Sequence, residues 1–273
     1  MPSDGERLLA GGNVAAGVVR VGRTVRKPAT AATPAVGALL RHLTGAGFDA
    51  SPRYLGLDEA GRQVLEFVPG VNAHLQPPLD MSELVRLGGV IRRLHDATQT
   101  FDPPADATWD VVIKADRDHL ICHHDLAPWN LIRDGDRWVF IDFDGAGPGS
   151  RLWDLGYAAH GFVPLHAGGD PDVDGPRLRA LADGYGLDDH QRGELPALTE
   201  AHTRGMYDLL RAGHRTGTQP WGPAVDRRTR RPLGPRSRLH PPEPASMDHH
   251  PARLTAYIGQ RATLRSHRRQ DRP

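Results

Sequence analysis

Cys122-His123-His124-Asp125-Leu126-Ala127-Pro128-Trp129-Asn130-Leu131-Ile132-Arg133-Asp134-Gly135-Asp136-Arg137-Trp138-Val139-Phe140-Ile141-Asp142 decides the reading of this 273-residue chain. It spaces one base and two metal ligands as phosphoryl transfer requires: His123-x-Asp125, Asn130 five residues after the Asp, and Asp142 behind an apolar run. Asp125 can accept a hydroxyl proton, while Asn130 and Asp142 offer hard oxygen ligands suited to Mg²⁺. Leu120-Ile121-Cys122, Leu131-Ile132 and Trp138-Val139-Phe140-Ile141 are short apolar runs, and Asp134-Gly135-Asp136 is the turn between the last two. Such a hairpin brings Asn130 and Asp142 together at its open ends, facing Asp125. An ordinary hairpin with surface carboxylates would account for a His-x-Asp alone, but not for the whole constellation. A zinc cluster of His123, His124 and Asp125 is disfavoured, because neighbours at a strand end point in different directions.

This stretch resembles the catalytic core of the aminoglycoside phosphotransferase family, relatives of the eukaryotic protein kinases. That family's loop runs His-x-Asp, then Asn five residues later, then an Asp on the next strand end, and each element has its match here. The resemblance implies Asp125 as catalytic base, Asn130 and Asp142 as Mg²⁺ ligands, and His123 as a prop for the loop. It spans residues 6–221. It also implies an α+β, bilobal protein-kinase-like fold, with a small β-rich N-terminal lobe over 1–70 and a mainly helical C-terminal lobe over 71–221.

The N-terminal residues read as strand, glycine turn, strand, tight turn, strand: Leu8-Leu9, Gly11-Gly12-Asn13, Val18–Val21, Gly22-Arg23, Thr24–Arg26. Gly11, Gly12 and Asn13 suit a turn that donates backbone N–H groups to a phosphate. A phosphate-binding cation is expected on the third strand. Arg26 and Lys27 both qualify and point to opposite faces. Arg26 is the first choice, since its planar fork can hold two phosphate oxygens, and Lys27 is the alternative. A helix is expected from Thr33 to about Ala46, with Pro34 in its first turn and Leu39, Leu40 and Leu43 on one face. Many kinases anchor the cation with a Glu on this helix, but no Asp or Glu occurs between Arg7 and Phe48. Val64–Gly70 then reads as a strand leaving through a Pro-Gly break. By resemblance it is the hinge, where the carbonyl of Glu66 and the N–H of Val68 would hold adenine.

Beyond Asn72 the pattern turns helical. Met81–Thr98 puts Leu84, Leu87, Val90, Ile91 and Leu94 on one stripe, with Asp80 or Ser82 as N-cap. His95 at its end reads as a packed structural histidine. Arg151–Gly156 resembles the family's Asp-Leu segment, which makes Asp154 a scaffold carboxylate under the catalytic loop. Asp144 is placed either to assist the metal shell or to face solvent. Two more helices are expected, near Pro176–Tyr185 and Asp188–Thr216. Cys122 is the single cysteine, which excludes an intrachain disulfide and reads as a core residue.

The whole-chain charge of +1 averages two unlike pieces. From Gly222 to Pro273 the chain has twelve arginines, no lysine and four acids, about +8, so the preceding 221 residues carry about −7. That segment, rich in Pro, Arg and His, is expected to be a disordered extension, because it has too little apolar surface to offset its ordering entropy. A nucleic-acid arm is disfavoured, since Tyr257 is its one aromatic residue. The acidic remainder suits a cationic acceptor such as an aminoglycoside. No run reaches the length of a membrane span and no leader pattern is seen, so a cytoplasmic enzyme is expected. The resemblance implies an ATP-dependent, Mg²⁺-requiring O-phosphotransferase acting on a small-molecule hydroxyl acceptor. The competing reading is a non-catalytic nucleotide-binding protein or an incomplete kinase-like product, on account of the missing helix Glu and the basic tail.

Overall fold

Short runs of β-branched residues punctuated by glycines build the first lobe of the computed structural model, which describes residues 5–9, 17–165 and 169–216. The Gly11-Gly12-Asn13 turn and the 222–273 tail lie outside the described residues. Five strands, β1 (Glu6–Leu8), β2 (Val19–Val21), β3 (Thr24–Lys27), β4 (Tyr54–Leu57) and β5 (Gln63–Glu66), form one antiparallel sheet in the order β1-β2-β3-β5-β4. Gly22, at φ 57°, makes the tight turn between β2 and β3.

Helix α1 (Thr33–Gly45) starts with Pro34 in its first turn and buries Val36, Leu39, Leu40 and Leu43. Full burial of such leucines is worth about 2 kcal/mol each, which explains a stable helix without a side-chain N-cap. Gly37 lies under the Tyr54 ring, so the helix approaches β4 at close range.

The chain leaves the sheet through Phe67–Gly70. Gly70 has φ 127°, and a Cβ there would sit 2.6 Å from the Arg133 carbonyl oxygen. Only glycine meets both conditions. Its closeness lets β6 (Val71–Asn72) join β8 (Leu131–Asp134) and β9 (Arg137–Phe140) in a three-stranded sheet of order β6-β8-β9. β8 and β9 are the expected hairpin, turned by Gly135 at φ 54°. A second small sheet pairs β7 (Leu120–Cys122) with β10 (Gly147–Gly149).

The remaining lobe is helical. α2 (Met81–Thr98) opens on a capping box between Asp80 and Glu83, and its Leu84, Leu87, Ile91 and Leu94 are buried. α3 (Arg151–Phe162) is capped by Ser150, whose hydroxyl accepts from Trp153 N–H at 3.2 Å. α4 (Pro171–Tyr185) begins five residues before the expected Pro176, because Asp170 caps it and Asp172 and Asp174 complement the dipole of its first turn. α5 (Asp189–Thr216) follows a reciprocal Asp188–Gln191 cap. The architecture is α+β and bilobal, and α2, α3 and β7 meet beneath the loop that precedes β8.

Candidate active site

One carboxylate holds the loop between β7 and β8 from below. Asp154, fully buried in the first turn of α3, accepts the N–H groups of His123 and His124 at 2.9 Å each and the His95 ring Nε2 at 3.1 Å. The other ring nitrogen of His95 accepts the Tyr185 hydroxyl at 2.8 Å, which puts the proton on Nε2. Burial alone would raise the Asp154 pKa. The His95 hydrogen bond and the neighbouring His95, His124 and His123 rings outweigh it and hold the carboxyl well below the usual carboxylate range. This grip also explains a strained backbone. His124 has φ 64°, a left-handed conformation costing about 1–2 kcal/mol outside glycine, and its bond to Asp154 offsets that cost.

His123 is 1% exposed and works inside the loop. Its Nδ1 accepts the Asp125 N–H at 3.2 Å, and its Nε2 donates to the Ile141 carbonyl oxygen at 3.1 Å. One ring therefore ties the loop carrying Asp125 to the strand end carrying Asp142. The ring also packs 4.4 Å from that of Phe143.

Asp125 Oδ2 accepts from Asn130 Nδ2 at 2.7 Å and from the Trp129 indole N–H at 3.4 Å. Asn130 Nδ2 also reaches the Asp125 carbonyl oxygen at 3.0 Å. With its nitrogen so committed, the Asn130 amide keeps its oxygen for another ligand. The Asn130 carbonyl accepts Ile141 N–H at 2.8 Å across the open end of the hairpin. Asp142 follows at φ 66°, a second left-handed non-glycine residue in the same site, and such outliers gather where surrounding structure over-determines them.

A cation from the other lobe reaches this acidic end. Lys27 Nζ bonds Asp142 and lies 2.8 Å from Asp144 Oδ2. Gln63 of β5 donates to Asp144 at 3.5 Å. Burial opposes the lysine charge, but Asp142 and Asp144 outweigh it and hold the ammonium above its ordinary pKa. Arg26, the first choice on sequence, turns to the opposite face of β3. There its guanidinium meets Asp58 at 3.4 Å and Thr24 Oγ1 at 2.7 Å. The alternation of the strand separates the two neighbours, and it is Lys27 that faces Asp142.

The sequence comparisons are consistent with this geometry. The model of the phosphotransferase enzyme family matches residues 105–196, the span that holds the loop, the hairpin and α3. Over 200 residues the chain is 33% identical to the trifolitoxin immunity protein of Rhizobium leguminosarum bv. trifolii, covering 68% of this chain and 76% of that one. The chain belongs to the phosphotransferase enzyme family.

Solved structures share the fold. An amicoumacin kinase in complex with AMP-PNP and Ca²⁺ superposes with TM-score 0.61 at 13% identity, covering 95% of this chain and 89% of that one. A choline/ethanolamine kinase family protein from Mesorhizobium loti gives 0.53 at 17% identity, covering 91% and 90%. A spectinomycin phosphotransferase in complex with ADP and spectinomycin gives 0.53 at 13%, covering 80% and 85%.

Of the residues singled out on sequence, Asp125, Asn130, Asp142, His123, Asp154 and Lys27 converge. Glu66 and Val68 lie at the end of β5 and just beyond it, and the Glu66 carboxylate is taken by Arg53 at 3.2 Å and Arg137 at 3.1 Å. Sequence reasoning left out Trp129, and it gave Asp144 no partner. His95, Cys122 and Asp154 also lie with their ligand atoms within 4.8 Å of one another. Each is bonded within the protein, and burial pushes the Cys122 thiol well up, so the trio is a packed node and a poor metal site.

Proposed function

We propose that this protein transfers the γ-phosphoryl group of ATP to a hydroxyl of a small molecule. The observation that carries the reading is the convergence of Asp125, braced by Asn130, with Asp142 and Asp144, which Lys27 reaches from the facing lobe. Family membership supports the phosphotransferase class.

In this reading Asp125 orients the acceptor hydroxyl and takes up its proton, while Lys27 holds phosphate oxygens as a point charge. The oxygen set of Asn130, Asp142 and Asp144 fits Mg²⁺, a hard cation. When bound with nucleotide, Mg²⁺ would neutralise phosphate charge. The protein's own share is positioning and charge stabilisation. His123 and Asp154 keep the loop in register, and Glu66 and Val68 would offer backbone groups to adenine. Gly11, Gly12 and Asn13 would contribute backbone N–H groups to phosphate binding, as proposed from sequence. We place the lobe boundary near residue 70 and assign the site to the cytoplasm. Among the described residues no helix is long and apolar enough to cross a membrane.

The test is an ATP-consumption screen with Mg²⁺ across aminoglycosides, choline-like alcohols, amino-acid hydroxyls and sugars. One class should stimulate ADP release, and Asp125→Asn should cut that turnover by roughly 10²–10⁴-fold, the usual range for a positioned acid–base group. Wild-type turnover in Asp125→Asn would overturn the reading.

A more specific biological role rests on the 33% identical relative, an immunity protein. The acceptor would then be a toxin or antibiotic bearing a hydroxyl, inactivated by phosphorylation. Expression in a sensitive strain should protect it, and Asp125→Asn should remove the protection. Equal protection by both forms would point to sequestration instead of chemistry.

A further inference from the structure

We propose that Trp129 selects the acceptor, and that the hydroxyl to be phosphorylated is carried on an aromatic framework. The proposal rests on Asp125 being the base, because an acceptor hydroxyl on that carboxylate brings the rest of the molecule against the indole. Trp129 lies between Asp125 and Asn130 in the short turn Pro128–Asn130. Its indole N–H donates to Asp125 Oδ2 at 3.4 Å, which sets the polar edge of the ring on the base.

Tryptophan gains most from burial, yet this one is 48% exposed, while Leu126, Ala127, Asn130 and Leu131 around it in the chain are buried. Its place is nevertheless fixed. The Asn72 side-chain amide donates to the Trp129 carbonyl oxygen, and the indole meets the Tyr157 ring of α3 at 6.5 Å and 71°. Tyr157 stacks in turn on His202 of α5 at 4.4 Å and 25°. The turn Ala73–Leu75 runs alongside Pro128–Asn130, and its Leu75 is also exposed. Large apolar side chains are thus left open next to a reacting carboxylate, where a ligand is the partner that can cover them.

An aromatic acceptor seated on the indole buries apolar area on both partners and gains the ring–ring contact as well. A polyol or amino sugar interleaves its C–H groups with hydroxyls and buries less apolar area for its size. The indole N–H keeps the ring beside Asp125, so the face that binds the framework and the oxygen that takes the proton are held in one geometry.

Two substitutions separate the face from the N–H. Trp129→Gln keeps a side-chain N–H and removes the apolar face, whereas Trp129→Phe keeps a face and removes the N–H. The assay is ADP release from Mg²⁺-ATP with benzyl alcohol or 2-phenylethanol, against glycerol or glucosamine. The aromatic alcohols should show the lower KM. Trp129→Gln should raise that KM about tenfold, the size of one aromatic contact with its buried area, and Trp129→Phe should stay within about threefold. The KM for Mg²⁺-ATP should not move in either variant. The proposal is overturned if glycerol or glucosamine has the lower KM, or if neither aromatic alcohol stimulates ADP release. It is equally overturned if Trp129→Gln leaves the aromatic KM unchanged or raises all four alike. Undiminished turnover of an aromatic alcohol in Asp125→Asn would instead remove the base assignment and leave the selection by Trp129 standing.

Discussion

Lys27 Nζ lies 2.8 Å from Asp144 Oδ2, joining β3 of the sheet lobe to the short turn after Asp142. Helix α1 has no acid in its first turn, and the sequence has none from residue 8 to residue 48. In the proposed function, the anchoring that kinases obtain from a helix Glu would be supplied here by Asp142 and Asp144 of the opposite lobe. The same contact would, in that function, put positive charge near the nucleotide phosphates, and it offsets part of the charge of Asp142 and Asp144.

Lys27 and Arg26 should therefore separate cleanly. Lys27→Met should weaken ADP binding by about tenfold, the effect of losing one charge-assisted contact. Arg26→Gln should leave ADP affinity within twofold, since Arg26 serves Asp58 and Thr24. Calorimetric titration of both variants decides it. A larger loss from Arg26→Gln would restore the arginine as the phosphate ligand.

Asp142→Asn removes charge from the metal side while freeing Lys27 from one partner. Mg²⁺-ATP should bind at least tenfold more weakly, whereas metal-free ATP should bind as well as before or more tightly. Parallel titrations with Mg²⁺ and with EDTA provide the comparison. Equal weakening in both would indicate damage to the fold in place of a lost ligand.

What the sequence made legible tracks how local the signal is. α2 was readable because the Asp80–Glu83 capping box and a leucine stripe lie within one segment. The β8–β9 hairpin was readable because Gly135 sits between apolar runs. α3 was missed as a helix: Gly156 and Gly161 weaken its propensity, and packing on α5 holds it, with Gly156 against Thr199. β10, Gly-Pro-Gly, is a strand only because β7 pairs with it. The choice between Arg26 and Lys27 was not settled by sequence for a related reason. All four residues of β3 are half-buried, so alternation separated the two cations without saying which face was inward.

Two glycines should prove essential to the helical lobe. A Cβ on Gly88 of α2 would overlap the Leu181 carbonyl oxygen of α4, and one on Gly184 would overlap the Val85 carbonyl oxygen. These are backbone contacts that no rotamer can relieve. Gly88→Ala and Gly184→Ala should each cost about 1–3 kcal/mol or more, although alanine normally favours a helix. Gly193→Ala on α5, where an added Cβ meets nothing, should be neutral or stabilising. Thermal midpoints of the three variants test this, and a stabilised Gly184→Ala would contradict the close packing.

Acid should unfold the protein through His202 before it protonates the carboxylates. This histidine is 1% exposed, packed on Trp153 and Tyr157 of α3. Burial, with help from the His124 and His160 rings and against the pull of Asp154, lowers its pKa from 6.5 to about 4. Between those values the unfolded chain binds the proton and the folded chain does not. Stability therefore falls as pH drops from 6.5 toward 4, by about 3 kcal/mol over the full window. The lowered carboxylates Asp58, Glu66, Asp80 and Asp96 withdraw their contribution only at and below their ordinary range near pH 4. Across pH 6.5 to 4.5 the slope thus has a histidine origin. His202→Phe keeps an aromatic ring against Tyr157 and removes the titration. Urea unfolding at half-unit pH steps should give a flatter curve for the variant, which gains stability relative to wild type as pH falls. Parallel curves for the two proteins would mean that His202 is as easily protonated folded as unfolded.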